Sequence, residues 1–144
     1  MRARPWQVAV ALVLAAGGAA ALVAVWPAGS RAGDGGARTV VVTMRHSRFE
    51  PSVVRVEPGE RVRFVLRNTD PIDHEFILGD ERVQLVHEKG TEAHHAPRPG
   101  EVSVPAGETV VTTYTFPEVG GSLIFGCHLP RHYDFGMRGL VTIG

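Results

Sequence analysis

The sequence predicts an all-β domain, an antiparallel sandwich or barrel, behind an apolar N-terminal segment. Three observations carry this. Short runs of alternating apolar and polar residues recur through the C-terminal two thirds. Seventeen glycines and ten prolines supply turns between them. No window of ten or more residues in that part holds a helical stripe.

In chain order, residues 39–44 are rich in β-branched side chains. Residues 53–56 run into Glu57-Pro58-Gly59-Glu60, a turn signal. Residues 61–67 place Val62, Phe64 and Leu66 on one face and Arg61 and Arg63 on the other. Asn68-Thr69-Asp70-Pro71 breaks that strand, and residues 74–78 form the next. Residues 102–104 lead to Pro105-Ala106-Gly107-Glu108, a second turn of the first type. Residues 109–116 alternate with Val110, Thr112, Tyr114 and Phe116 on one face. Strands over 123–127 and 139–143 close the domain. Residues 79–100 are polar and His-rich and read as a long insertion loop with one helical turn around Arg82 to His87.

Residues 7–26 carry no charge and follow Arg2 and Arg4, so 1–26 reads as a signal peptide or an N-terminal membrane anchor. Either form places the rest outside the cytoplasmic membrane, periplasmic or at the cell surface. Residues 27–38 read as a flexible linker and 39–144 as the folded domain. The composition narrows function. Fifteen basic residues balance fifteen acidic ones, which argues against a nucleic-acid partner. The single cysteine excludes an intramolecular disulfide.

The informative stretch is Cys127-x4-His132-x4-Met137, a thiolate, an imidazole and a thioether on one short loop after a strand. A mononuclear copper electron-transfer site needs two His and one Cys in a plane with a weak axial Met. The missing ligand is a distant His, with His74 the first candidate and His46 the second. His128 follows Cys127 and by alternation points to the other face, so it reads as structural. His87, His94 and His95, beside Glu81, Glu88 and Glu92, read as a solvated polar loop or as a weaker auxiliary metal site.

With Phe125-Gly126-Cys127, His132, Met137 and the final strand, residues 39–144 resemble the cupredoxins, the small blue copper proteins that include plastocyanin, azurin and rusticyanin. The resemblance implies a Greek-key β-sandwich and one type 1 copper held by His74, Cys127, His132 and Met137. It implies single-electron transfer between transient protein redox partners, with no small-molecule substrate and no enzymatic activity; copper tolerance or delivery is the alternative. Leu129, Pro130, Phe135, Pro71 and Ile72 then form an apolar collar at the site. Many cupredoxins carry Asn or Ser after the first His, as a donor near the thiolate; here the residue is Glu75, and a backbone N–H can take that place.

Overall fold

The computed structural model describes residues 36–90 and 96–144. Among the described residues the strands are β1 (Arg38–Met44), β2 (Phe49–Glu50), β3 (Val53–Val56), β4 (Arg61–Asn68), β5 (His74–Gly79), β6 (Glu101–Val104), β7 (Thr109–Thr115), β8 (Gly121–Gly126) and β9 (Arg138–Ile143), with one helix, α1 (Glu81–Glu88). One sheet has the order β2-β1-β4-β7 and the other β3-β9-β8-β5-β6. Non-consecutive strands pair in both, as a Greek-key path requires.

The sheets are mixed, which corrects the expectation of purely antiparallel pairing. β1 runs parallel to β4, with Val40 opposite Phe64, and β3 runs parallel to β9, with Val54 opposite Val141. Between β1 and β4 the chain crosses to the other sheet and back, so the two arrive side by side in the same direction. Period-two alternation is the same in either direction and cannot tell them apart.

The insertion predicted over 79–100 is also corrected, because Glu81–Glu88 is a full helix and not a loop with one turn. Asp80 caps its N-terminus, accepting from the Val83 N–H at 2.9 Å, and Glu81 sits in the first turn where an acid suits the dipole. The one buried residue of α1 is the polar Gln84. An apolar stripe is therefore missing, and periodicity has nothing to detect.

The inward faces follow the alternation. Val62, Phe64 and Leu66 are fully buried and meet Phe76, Leu78, Val104 and Phe125 of the facing sheet. Phe49, Phe76 and Phe125 form an aromatic triangle, with ring centroids 5.1–6.1 Å apart. At the Glu57–Glu60 turn, Glu60 N–H donates to Glu57 O at 3.1 Å and Gly59 takes φ +70°, which a residue with a side chain resists. The Pro105–Glu108 turn closes with the same bond, also 3.1 Å.

A Cβ at Gly139 of β9 would collide with the Phe125 ring and come within 2.7 Å of the Ser52 carbonyl oxygen. The Gly139→Ala variant is expected to lose about 1–3 kcal/mol through overpacking. A thermal melt checks this, and a midpoint equal to wild type would contradict the packing.

The predicted segment 1–26 and all but the last three residues of the linker lie outside the described residues. Among the described residues no helix is long and apolar enough to cross a membrane.

Candidate metal centre

Two loops bring three of the four predicted site residues, His74, Cys127 and His132, together. The first joins β4 to β5. Asn68, at the end of β4 and 2% exposed, organises it from within. Its Nδ2 donates to the carbonyls of Ile72, Val104 and Pro105 at 2.8–3.1 Å, and its Oδ1 accepts from the Asp70 N–H at 3.0 Å. These bonds deliver His74 to the first position of β5, opposite Val104 and fully buried.

Asp70 then orients His74. Its Oδ2 lies 2.9 Å from His74 Nε2. An ionised carboxylate only accepts, so Nε2 carries the proton and Nδ1 keeps the lone pair. Asp70 is held in turn by the backbone N–H groups of His46 and Ser47, at 2.7 and 2.8 Å. Those residues adopt φ +53° and +51°, a left-handed pair that turns two successive amides onto one carboxylate. Burial raises the Asp70 carboxyl, but the Ser47 amide, the His74 ring and the His46 amide together hold it below its ordinary value. His46, the second candidate ligand, thus serves through its backbone.

The second loop runs from Cys127, just past β8, to Met137, just before β9. Successive turns fold it tightly: His132 N–H donates to Leu129 O, Phe135 N–H to Arg131 O and Gly136 N–H to Tyr133 O, at 2.9–3.0 Å. A clasp closes its base. Cys127 N–H donates to Met137 O at 3.1 Å, and Met137 N–H donates to His132 O at 2.9 Å. Met137 is fully buried in the same core cluster as Cys127.

His74, Cys127 and His132 place one ligand atom each within 4.8 Å of the others. The Cys127 Sγ lies 3.2 Å from His132 Nδ1 and 3.9 Å from His74 Nδ1, and the imidazole centroids are 5.1 Å apart. Among the described residues this is the one group of three or more His, Cys, Asp or Glu that converges so. The Glu75 N–H donates to Cys127 Sγ at 3.3 Å, the backbone donation expected in place of an Asn or Ser side chain.

The electrostatics separate a metal ligand from a nucleophile. Burial pushes the Cys127 thiol up to about 11, against the pull of the Glu75 and Leu129 amides. Reactive cysteines are held low, at exposed and electropositive positions, so this thiol is not activated for attack. Burial and the neighbouring His74 lower His132, outweighing Glu75 and Asp70, so its ring is neutral at pH 7. One soft sulfur and two imidazole nitrogens, facing each other at this largely buried site, suit a borderline ion that accepts both donor types. The donor set fits copper.

A model of the cupredoxin-like domain family matches residues 17–101. The chain belongs to that family. The matched stretch includes His74 and stops before the Cys127 loop. The copper-resistant cuproprotein CopI of Rubrivivax gelatinosus is 39% identical over 111 residues, covering 74% of this chain and 66% of that protein, a little under two thirds. The CopI protein of Pseudomonas aeruginosa is 29% identical over 139 residues, covering 74% of this chain and 76% of it. Among solved structures, auracyanin A, a blue copper protein of Chloroflexus aurantiacus, superposes with a TM-score of 0.62 at 22% identity, over 76% of this chain and all of that one. Auracyanin B gives the same score and identity, over 78% of this chain and 92% of that one. These last two likenesses are of fold. They agree with the cupredoxin-like sandwich that the family resemblance implies.

Of the insertion's histidines, His94 and His95 lie outside the described residues, as does Glu92. His87 turns its Nδ1 to the Val83 carbonyl at 2.9 Å and its Nε2 toward Glu101 Oε2 at 3.5 Å. His128 points away from Cys127, between Glu88 Oε2 at 2.7 Å and Gln84 Oε1 at 2.8 Å. Of the collar, Pro71, Ile72, Pro130 and Phe135 are exposed, and Leu129 is partly buried against the core. Sequence reading missed two residues, Asp70 and Gln84. The first stood in a strand-breaking run, and the second in a segment read as loop.

Proposed function

We propose that this protein is an extracytoplasmic, mononuclear type 1 copper protein that carries single electrons between protein redox partners, and that it is not an enzyme. The observation that carries the reading is the buried convergence of Cys127 Sγ with the Nδ1 atoms of His74 and His132. Copper bound there supplies a one-electron Cu(I)/Cu(II) couple, since thiolate and thioether favour the first state and imidazole the second. Cys127, His74 and His132 would hold it, with the Met137 thioether as the fourth, weaker ligand. Asp70, Glu75 and the Met137 clasp keep these donors in place, so little rearrangement is needed in either oxidation state. His132 is the half-buried ligand, and its edge is where a partner comes nearest the site. The exposed Ile72 and Phe135 offer that partner an apolar contact. The sequence lacks the His-x-His pairs with which multicopper enzymes build a second centre. Export, with residues 7–26 as signal or anchor, supports a periplasmic or cell-surface location and a membrane attachment if that segment stays.

The second reading is copper tolerance or delivery. It is supported by the name of the relatives, copper-resistant cuproprotein, and by the His-bearing 79–100 insertion. Stoichiometry separates the two. Adding Cu(II) to the full chain is expected to give one tightly held ion and an intense visible band, with rapid reduction and reoxidation. More than one tight ion per chain, with slow redox exchange, favours the second reading. No visible band with bound copper overturns the first.

Copper uptake is expected to depend on pH with a known sign. At neutral pH the thiol, raised to about 11, holds its proton and the His132 ring is neutral with one nitrogen free to ligate, so uptake expels a proton from Cys127. Apparent affinity therefore falls about tenfold for each unit of decreasing pH, and more steeply once acid protonates the imidazoles. A competition titration from neutral into acid checks this, and a flat profile counts against thiolate ligation.

The Met137→Gln variant is expected to keep copper and lower the reduction potential, because an amide oxygen favours Cu(I) less than a thioether does. Redox titration of the visible band measures it; an unchanged potential removes Met137 from the axial position.

A further inference from the structure

The chain neighbours of Cys127 on both sides meet one side chain of the insertion helix. Gln84, 3% exposed, reaches from α1 onto the paired strands β5 and β8. Its Nε2 lies 3.0 Å from the Ile77 carbonyl and 3.0 Å from the Ile124 carbonyl. Two acceptors there require the NH2 end of the amide, so Oε1 faces the other way. At 2.8 Å from Oε1 stands His128 Nε2, which must be the donor. On the other side of Cys127, a Cβ added to Gly126 would come within 2.9 Å of the same Gln84 Oε1.

The His128 ring is fixed from three more directions. Glu88, one turn along α1, meets its Nδ1 at 2.7 Å. Tyr133, from the same Cys127–Met137 loop, stacks on it with centroids 4.6 Å apart and planes 19° from parallel. The His128 backbone N–H lies 3.3 Å from Glu75 Oε2, while the Glu75 N–H donates to Cys127 Sγ. The His128 side chain is 2% exposed. A buried polar chain of this kind favours one geometry, because a shift of any member leaves a donor or acceptor unmatched.

We propose that α1 is a clamp on the metal-binding loop, and that Gln84, acting through His128, is a positioning residue that sets how Cys127 and His132 present their ligand atoms. The proposal rests on the copper reading above. Gln84 touches no ligand atom; it bonds to β5, which begins with His74, and to β8, which ends one residue before Cys127, and it pins His128, the residue after Cys127. The insertion thus has a role in the site that needs no second ion.

The test uses the full chain with Cu(II) as the probe, compared across wild type, Gln84→Met, Glu88→Gln and Leu85→Ala. Methionine keeps the length of Gln84 and removes its hydrogen bonds. Glu88 is 36% exposed, so its variant keeps the fold if the first does not. Leu85 is 53% exposed and serves as the control for α1 in general. Gln84→Met is expected to bind one copper with a redistributed visible spectrum and to release it to a chelator roughly tenfold faster. Glu88→Gln should shift the spectrum in the same direction by less, and Leu85→Ala should match wild type. Should Gln84→Met fail to fold, the Glu88→Gln spectrum decides. A lower melting temperature with spectrum and release rate unchanged overturns the clamp and leaves the copper reading standing. Absence of the visible band in wild type overturns the copper reading and the clamp with it.

Discussion

Cys127→Ala is expected to abolish the intense visible absorption of the copper-loaded protein while leaving the sandwich folded. The band requires charge transfer from a thiolate, and this is the one sulfur of its kind in the chain. The fold should survive because the side chain is small. Losing one buried sulfur costs about 1 kcal/mol, and the backbone N–H of residue 127 still donates to Met137 O. Far-ultraviolet circular dichroism should therefore be unchanged, while the visible spectrum is empty and copper is lost on dialysis. A persistent band would place the thiolate ligand elsewhere, and the metal centre described here would fall.

The second large effect is expected at Asp70, which touches no metal ligand atom. Asp70→Ala strands three donors at once: the His46 N–H, the Ser47 N–H and the His74 Nε2–H. Removing one partner of such a buried cluster costs roughly 3–5 kcal/mol. The His74 ring is also released to turn or to change tautomer, which lowers copper affinity by about 10- to 100-fold. The acid limb of the stability curve should change as well. The folded Asp70 carboxyl titrates below its ordinary value of 3.8, so its contribution is complete above that value and is lost as the pH falls through the lower folded value. Wild type should therefore lose more stability than Asp70→Ala on acidification through that window. Urea melts at neutral and acid pH, with a copper competition assay, measure all three. Wild-type copper affinity in the variant would mean that His74 is oriented by packing alone.

The strands were readable from residues because half-buried strands write their burial into every second position. Val62, Phe64 and Leu66 are fully buried as their spacing demands, and β1 begins at Arg38, one residue ahead of the expected start. The Cys127–Met137 loop was readable for a different reason: its donors lie within eleven residues, so their chemistry is a local fact. α1 was not readable as a helix, because what it buries is the amide of Gln84 and not an apolar stripe. Its cap at Asp80 was the signal available.

Local order thus accounts for an all-β domain, its turns, and a thiolate, an imidazole and a thioether on one loop. Register across the sheets accounts for the rest. His74 meets Cys127 over a separation of 53 residues, and Asp70 meets the His46 and Ser47 amides over 24 and 23. Such meetings depend on which strands lie side by side and in which direction. That arrangement is selected by burial of the whole core, a sum over many side chains that leaves no mark at positions 46, 70 or 84.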